Sequence, residues 1–294
     1  MHGWIILDKP LGLGSTQAVA AVKRNLREAG FGKVKVGHGG TLDPLATGVL
    51  PIALGEATKL CGRMLDASKI YAFTVRFGTE TAGLDAEGDV VATSGHRPSR
   101  ADIEAVLSQF MGVISQVPPA YSAIKIDGKR AYDRARAGEN VEMLPRSVEI
   151  FRLTLDDFDD DAATYTAHVS KGTYIGSLGR DIAYALGTVG HISMLRRLAA
   201  GPFAEKHAIS LDKLNSLGQG ARPEDIILPM EAGLADIPAL KLLPEQARAI
   251  RQGRVLTGVA TKDGLYWGMD ADLRPVALVQ LIDGQLKTVR GFNL

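Results

Sequence analysis

The sequence predicts an α+β fold, on three observations. Strand and helix candidates follow one another without the regular βαβ rhythm of a doubly wound sheet. The last fifty or so residues break into short strands separated by Gly and Asp turns, the pattern of a small β-barrel. With 294 residues, 46% hydrophobic and 23% charged, the chain can bury a full core and has room for one large domain plus a smaller one.

The elements justify this in order. Gly3–Leu7 reads as a strand ended by Asp8-Lys9-Pro10. After the glycine turn Leu11–Ser15, Ser15 or Thr16 is the expected N-cap of a helix carrying Val19, Val22 and Leu26 at 3–4 spacing, stopped by Gly30. Gly37–Gly48 is too glycine-dense for a helix and reads as a loop. Ile70–Phe77 alternates as a strand, with Tyr71, Phe73 and Val75 on one face. Ser99 caps a helix to Phe110 whose inward residues are Ile103, Val106, Leu107 and Phe110. Strands at 148–158 and 163–170 flank the acidic run Asp156–Asp161, and a helix follows Thr173–Gly176, itself read as strand. Residues 221–240, with Pro223, Pro229, Gly233 and Pro238, read as a linker. Beyond it come a short helix over Pro244–Gln252 and strands at 254–260, 264–269, 275–282 and 285–291.

Composition excludes several classes. A net charge of +1 is not that of a general polycation, although basic residues are segregated: residues 1–70 hold nine Lys/Arg against five Asp/Glu, and 170–207 hold five against two. The densest patch is Lys125–Arg136, within 121–147, where Lys125, Lys129 and Arg130 lie among Tyr121 and Tyr132. The single Cys61 leaves no internal disulfide, and the six histidines show no HxH or HExxH spacing, so no metal is expected. The opening apolar run Trp4–Leu7 is too short for a signal peptide or membrane span, and a cytoplasmic protein without a membrane partner is expected.

The segment most concerned with chemistry is Gly37 to Lys59. Asp43 precedes Pro44, which pushes it to an extended conformation, and the glycines at 37, 39, 40 and 48 permit close backbone approach. A carboxylate there can act as general base, nucleophile, metal ligand or Asx-turn residue; spacing alone favours the turn. The Gly12–Ser15 loop lacks the Gly-Lys-Ser/Thr ending of a P-loop, and no GxSxG exists.

The run HGGTLDPLATGVLPIALGEATK, residues 38–59, resembles the hallmark motif of the TruB family, the bacterial tRNA pseudouridine-55 synthases. Five further stretches fall in the family's order: Leu7–Pro10, Lys69–Tyr71, Val117–Lys125, Ser170–Ile175 and Leu195–Leu198. Together they span residues 3–203, and the tail from 240 resembles, more loosely, a PUA-like RNA-binding domain.

The resemblance implies a catalytic domain over 1–230 with a mixed, mainly antiparallel sheet, a thumb insertion at about 121–147, and a PUA-like barrel over 240–294. It implies conversion of a T-loop uridine of tRNA to pseudouridine with base flipping and no cofactor, by a monomeric enzyme. By the same resemblance Asp43 is the catalytic carboxylate, Tyr71 stacks on the flipped base, and Tyr174 and Leu195 complete the pocket. His38 contacts the opened T-loop, Lys59 pairs with a phosphate or a nearby carboxylate, and Lys125, Lys129 and Arg130 clamp the RNA arm. One departure stands out: the family's Gly-Thr-Tyr-Ile/Val-Arg ends here in Gly176, where the usual arginine pairs with the catalytic aspartate, and Arg180 is the nearest substitute. That departure gives weight to a competing class, a tRNA-binding folding chaperone with little or no turnover.

Overall fold

The structure is a computed structural model and describes residues 1–120, 122, 125–126, 128–137, 139 and 141–294. The chain begins β1 (Gly3–Lys9), α1 (Ser15–Glu28), β2 (Val36–His38), β3 (Ala46–Leu54) and α2 (Cys61–Asp66). It continues through β4 (Lys69–Phe77), β5 (Thr79–Thr81), β6 (Val90–Thr93), α3 (Arg100–Val106), β7 (Gly112–Gln116), β8 (Lys125–Ile126), β9 (Lys129–Arg130) and α4 (Ala131–Arg136). Then come β10 (Arg146–Phe158), β11 (Ala162–Val169), α5 (Ile175–Ala185), β12 (Gly190–Ala200) and β13 (Phe203–Ala204). The remainder is α6 (Leu211–Asn215), β14 (Ala239–Lys241), α7 (Pro244–Arg251), β15 (Leu256–Thr257), β16 (Gly264–Met269), β17 (Pro275–Ile282) and β18 (Gln285–Gly291). The α+β expectation holds. No helix among the described residues is long and apolar enough to cross a membrane.

Two compact units form. One comprises Met1–Pro44, Gly48–Leu65 and Ala200–Leu294; the other comprises Leu45–Thr47 and Asp66–Ala199. In the first, β1 runs antiparallel to β3, from Gly3 opposite Leu54 to Lys9 opposite Gly48. Both strands are apolar nearly throughout because both faces are covered, so neither shows clean alternation. Trp4 is fully buried against Phe203, with ring centroids 5.1 Å apart, and its indole N–H donates to the Met230 carbonyl at 3.1 Å. A fully buried side chain of this kind contributes about 1.5–3 kcal/mol. The stretch expected to be a linker therefore packs: Met230 and Leu234 join the core around Trp4, with Leu278 of β17 and Phe292 just past β18. Those strands form a sheet in the order β14-β16-β17-β18-β15, antiparallel except for β14 beside β16. The strand expected at 254–260 shrinks to Leu256–Thr257.

The second unit is built on strands in the order β12-β4-β11-β10-β7. β4, β11, β10 and β7 are successively antiparallel, as the two strands flanking the acidic turn require. Phe73 and Val75 of β4 point into a core shared with Tyr165, Ile150, Leu178 and Ile182, and α3 adds Ile103 with Val106 and Phe110 beside it. Ser99 caps α3 as expected, accepting from the Asp102 amide at 3.2 Å while the Asp102 carboxylate accepts from the Ser99 amide at 2.9 Å. One expectation fails here, and one strand was not foreseen. Gly176 is not on a strand: α5 starts at Ile175, with Tyr174 as its N-cap. And β12, which no alternation announced, is a full strand.

Candidate functional site

The residues singled out in the sequence fall in both units, and each group is built within its own. In the first unit the loop between β2 and β3 carries Asp43, whose residue is exposed. The strands on either side extend further than the glycine content suggested, leaving only Gly39–Leu45 between them. Gly39 must be glycine: a Cβ there would lie 2.6 Å from the Met64 Cβ, and its amide donates to the Pro51 carbonyl at 2.8 Å.

The Asp43 loop is fastened from the N-terminal motif. The Ser15 hydroxyl donates to the Leu42 carbonyl at 2.7 Å and accepts from the Leu42 amide at 2.8 Å. The Pro44 carbonyl accepts from the Gly12 amide at 2.8 Å and from the Lys9 ammonium at 3.4 Å. Lys9 is fully buried, and its ammonium also donates to the carbonyls of Leu13 (2.6 Å) and Pro10 (3.0 Å). A buried ammonium surrounded by carbonyl oxygens keeps its charge solvated by the protein and locks the carbonyls it touches. The Asp-Lys-Pro-x-Gly-x-Gly-Ser stretch is thus the scaffold of the Asp43 loop, a role that its distance in sequence concealed. This also corrects the capping expectation: the N-cap of α1 is Gly14, not Ser15 or Thr16.

His38 ends β2, opposite Ile52 on β3. Lys59 is held within the unit. Its ammonium lies 2.6 Å from the Glu56 carboxylate and donates to the Gly291 carbonyl at 2.9 Å. Glu56 in turn accepts from the Asn293 amide at 2.8 Å. Burial works to raise the Glu56 carboxyl, but the bonds from Lys59 and Asn293 outweigh it and hold it below the usual carboxylate range. Lys59 therefore joins this turn to the C-terminal residues.

In the second unit Tyr71 and Leu195 are half-buried and pack against the same core. The Leu195 carbonyl accepts from the Thr47 hydroxyl at 3.5 Å, so the short segment Leu45–Thr47 that continues from Asp43-Pro44 is bonded to β12. Tyr174 is fixed by Gln116, which is fully buried. The Gln116 side-chain oxygen accepts from the Tyr174 amide at 2.8 Å, and its NH2 donates to the Tyr174 carbonyl at 3.1 Å. Ser177 adds a bond to the Val117 carbonyl at 2.8 Å. Upstream, Gly172 takes φ +79°, the left-handed turn that places Thr173 and Tyr174 at the helix start.

Gly176 is the second residue of α5, and a Cβ there would meet the Leu84 Cβ at 3.3 Å. Arg180 has its guanidinium on the Asp181 carboxylate (2.8 and 2.9 Å) and on the Val117 carbonyl (3.3 Å). Burial raises the Asp181 carboxyl, and Arg180 opposes the rise. Lys69, two residues before Tyr71, is buried and donates to the Ala67 carbonyl at 2.6 Å. Its pKa falls to about 8, from burial first and then from the Arg197 guanidinium. Arg197 is itself buried on β12, two residues after Leu195 and so on the same strand face. Lys69 and Arg197, with Lys9, Ser15 and Gln116, are buried polar residues; the motifs include Lys9, Lys69 and Arg197, but nothing in their residue types signals that they are buried.

The thumb expectation is only partly described. Lys125 and Ile126 pair with Arg130 and Lys129 as the hairpin β8–β9, followed by α4. The side chains of Lys125, Lys129, Arg130 and Tyr132, and Tyr121 as a whole, lie outside the described residues. Among the described residues no three of His, Cys, Asp and Glu gather closely enough to hold a metal ion.

Comparison with known proteins supplies context. Residues 27–175 match the model of the TruB family pseudouridylate synthase N-terminal domain, and 177–235 that of the tRNA pseudouridylate synthase B C-terminal domain. The chain is 70% identical to a tRNA pseudouridine synthase B of Novosphingobium aromaticivorans, over all of this chain and 98% of that one. It is 57% identical to the tRNA pseudouridine synthase B of Zymomonas mobilis, over all of this chain and 96% of that one. Among solved structures, a chain of an H/ACA ribonucleoprotein bound to a substrate RNA containing 2'-deoxyuridine superposes with a TM-score of 0.75 at 25% identity, covering 99% of this chain and 85% of that one. A Cbf5-Nop10-Gar1 complex gives 0.71 at 28% identity, covering 95% and 78%.

Proposed function

The chain belongs to the TruB family of pseudouridylate synthases, and from that premise we propose that it isomerises uridine 55 in the T-loop of tRNA to pseudouridine, with Asp43 as the catalytic carboxylate. The observation that carries this is the Asp43 loop: an exposed aspartate on a backbone bonded on both sides, at Leu42 by Ser15 and at Pro44 by Gly12 and Lys9. A turn residue needs no such support; a group that must meet one atom of a substrate does.

The reaction breaks the bond from N1 of the base to C1′ of the sugar, turns the base, joins C5 to C1′, and moves the C5 proton to a ring nitrogen. Bonds are exchanged without oxidation, so no redox cofactor enters. Asp43 serves as nucleophile at C1′ or at C6, or as base toward a sugar proton; each route uses the same carboxylate. Tyr71 stacks on the flipped uracil, Tyr174 and Leu195 bound the pocket that retains it, and His38 contacts the opened loop. Lys125, Lys129 and Arg130 of a thumb over about 121–147 neutralise T-arm phosphates, and the folded shape of the arm directs recognition. The division into a catalytic domain over 1–230 and a PUA-like RNA-binding domain over 240–294, the monomeric state and a cytoplasmic location belong to the same reading.

The test is Asp43→Asn on a T-arm transcript. Pseudouridine formation falls by at least a hundredfold while RNA affinity stays within about threefold, as for other lost catalytic carboxylates. Turnover within about tenfold of wild type overturns the assignment. RNA binding by the wild type with no pseudouridine formed favours the chaperone reading instead.

A further inference from the structure

We propose that Ser15 is a positioning residue for the reaction: its hydroxyl sets the direction of the Asp43 carboxylate by fixing the peptide that precedes it. The proposal rests on the reading of Asp43 as the catalytic group.

Ser15 is 4% exposed, and its side chain bonds both backbone groups of a single residue, Leu42, 27 positions away. The acceptor of its hydroxyl proton, the Leu42 carbonyl, belongs to the Leu42–Asp43 peptide. Holding that oxygen fixes the plane from which the Asp43 Cα emerges. On the far side of Asp43, the Gly12 amide holds the Pro44 carbonyl of the Pro44–Leu45 peptide, and the fixed φ of Pro44 limits how the intervening Asp43–Pro44 peptide can turn. With the preceding plane fixed and the following one restricted, the Cα–Cβ bond of Asp43 is held to a narrow range of directions.

Ser15 is not needed for the role its position suggests. A serine at the start of a helix ordinarily caps it, but here Gly14 is the N-cap and the Gln17 side chain accepts from its amide at 2.8 Å. The hydroxyl is diverted wholly to Leu42. Leu42 is itself buried, so both of its backbone groups need partners from the protein, and water is a poor replacement. Loss of the hydroxyl shifts the loop, and a displacement of about 1 Å at a reacting group costs about a hundredfold in rate.

The experiment is single-turnover kinetics on Ser15→Ala, Ser15→Thr and Ser15→Cys, with Asp43→Asn beside them. The amplitude reports the folded, RNA-competent fraction; the rate constant at saturating enzyme reports positioning. Ser15→Ala is expected to lower the rate constant by about 30–100-fold with RNA affinity within about threefold of wild type. Ser15→Thr, which keeps the hydroxyl, restores the rate to within about fivefold. Ser15→Cys, a weak donor, falls between. A purely structural role lowers the amplitude and leaves the rate constant alone, and that result for Ser15→Ala overturns the proposal. If Ser15→Ala yields no folded protein, a wild-type rate constant for Ser15→Cys overturns it. An inactive Asp43→Asn beside a fully active Ser15→Ala defeats the positioning role only; an active Asp43→Asn defeats the reading beneath it.

Discussion

Lys69 offers a stability prediction whose sign reverses with pH. The ammonium is buried beside the Arg197 guanidinium, and these two influences, in that order, bring its pKa from 10.5 to about 8, with Asp66 offsetting part of the fall. A cation whose folded pKa is depressed binds fewer protons folded than unfolded between about pH 8 and 10.5. Unfolding free energy therefore rises with pH across that window, and below it the folded state carries the full penalty. A shift of about 2.5 units corresponds to at most ~3.4 kcal/mol. Asp66 and Lys171, which share the field, are exposed, and screening at that edge reduces the figure to ~2 kcal/mol. Lys69→Met removes the penalty but leaves the Ala67 carbonyl without its 2.6 Å donor, a loss of ~1 kcal/mol. The variant is thus expected to be more stable than wild type by ~1 kcal/mol at pH 7 and less stable by ~1 kcal/mol near pH 10.5. Urea unfolding of the full chain at pH 7, 8, 9 and 10 measures the difference, in which every other titrating group cancels. A difference that is constant with pH, or that moves in the variant's favour as pH rises, refutes the argument.

On the proposed reading of Asp43, Gly176→Arg is expected to raise the single-turnover rate about tenfold, a gain of roughly 1.4 kcal/mol in the barrier, by supplying the arginine that the family resemblance implies at this position. The same change lowers stability by up to ~1 kcal/mol, because a cation enters the first turn of α5 and Leu84 must yield to the new Cβ at 3.3 Å. A neutral Gly176→Arg together with a crippled Arg180→Ala shows instead that Arg180 has taken the role. Replacing Lys125, Lys129 and Arg130 with glutamine is expected to weaken RNA binding and flatten the slope of log K against log salt by up to about three; an unchanged slope means these residues face solvent in the complex.

How far the sequence alone reaches is plain at particular residues. The C-terminal strands 264–269, 275–282 and 285–291 were legible to the residue because short apolar runs end at Gly and Asp turns, and such signals are local. So were the cap at Ser99, the inward face of α3 and the motif order that carries the family resemblance. β12 escaped notice because Gly190–Ala200 contains two adjacent arginines and does not alternate; Arg197 is buried there all the same. Gly176 reads as strand because glycine in a strand and glycine in a first helical turn look alike in sequence; only the fold puts Tyr174 at the N-cap of α5.

The candidate site divides in the same way. Asp43, Tyr71, Tyr174 and Leu195 are named by motif, through the family resemblance. What fixes the backbone at Asp43 and Tyr174 is named only by the fold. The Ser15 hydroxyl reads as a helix cap and is bonded to Leu42; Lys9 reads as part of a strand end and its ammonium is buried among carbonyls; Gln116 carries no assignment in the sequence and holds Tyr174. A side chain's local preference is a property of its own segment. Its partner 27, 35 or 58 residues away is a property of how the chain closes on itself, and in a buried place an unmet hydrogen bond costs more than a lost local preference, so the distant partner prevails.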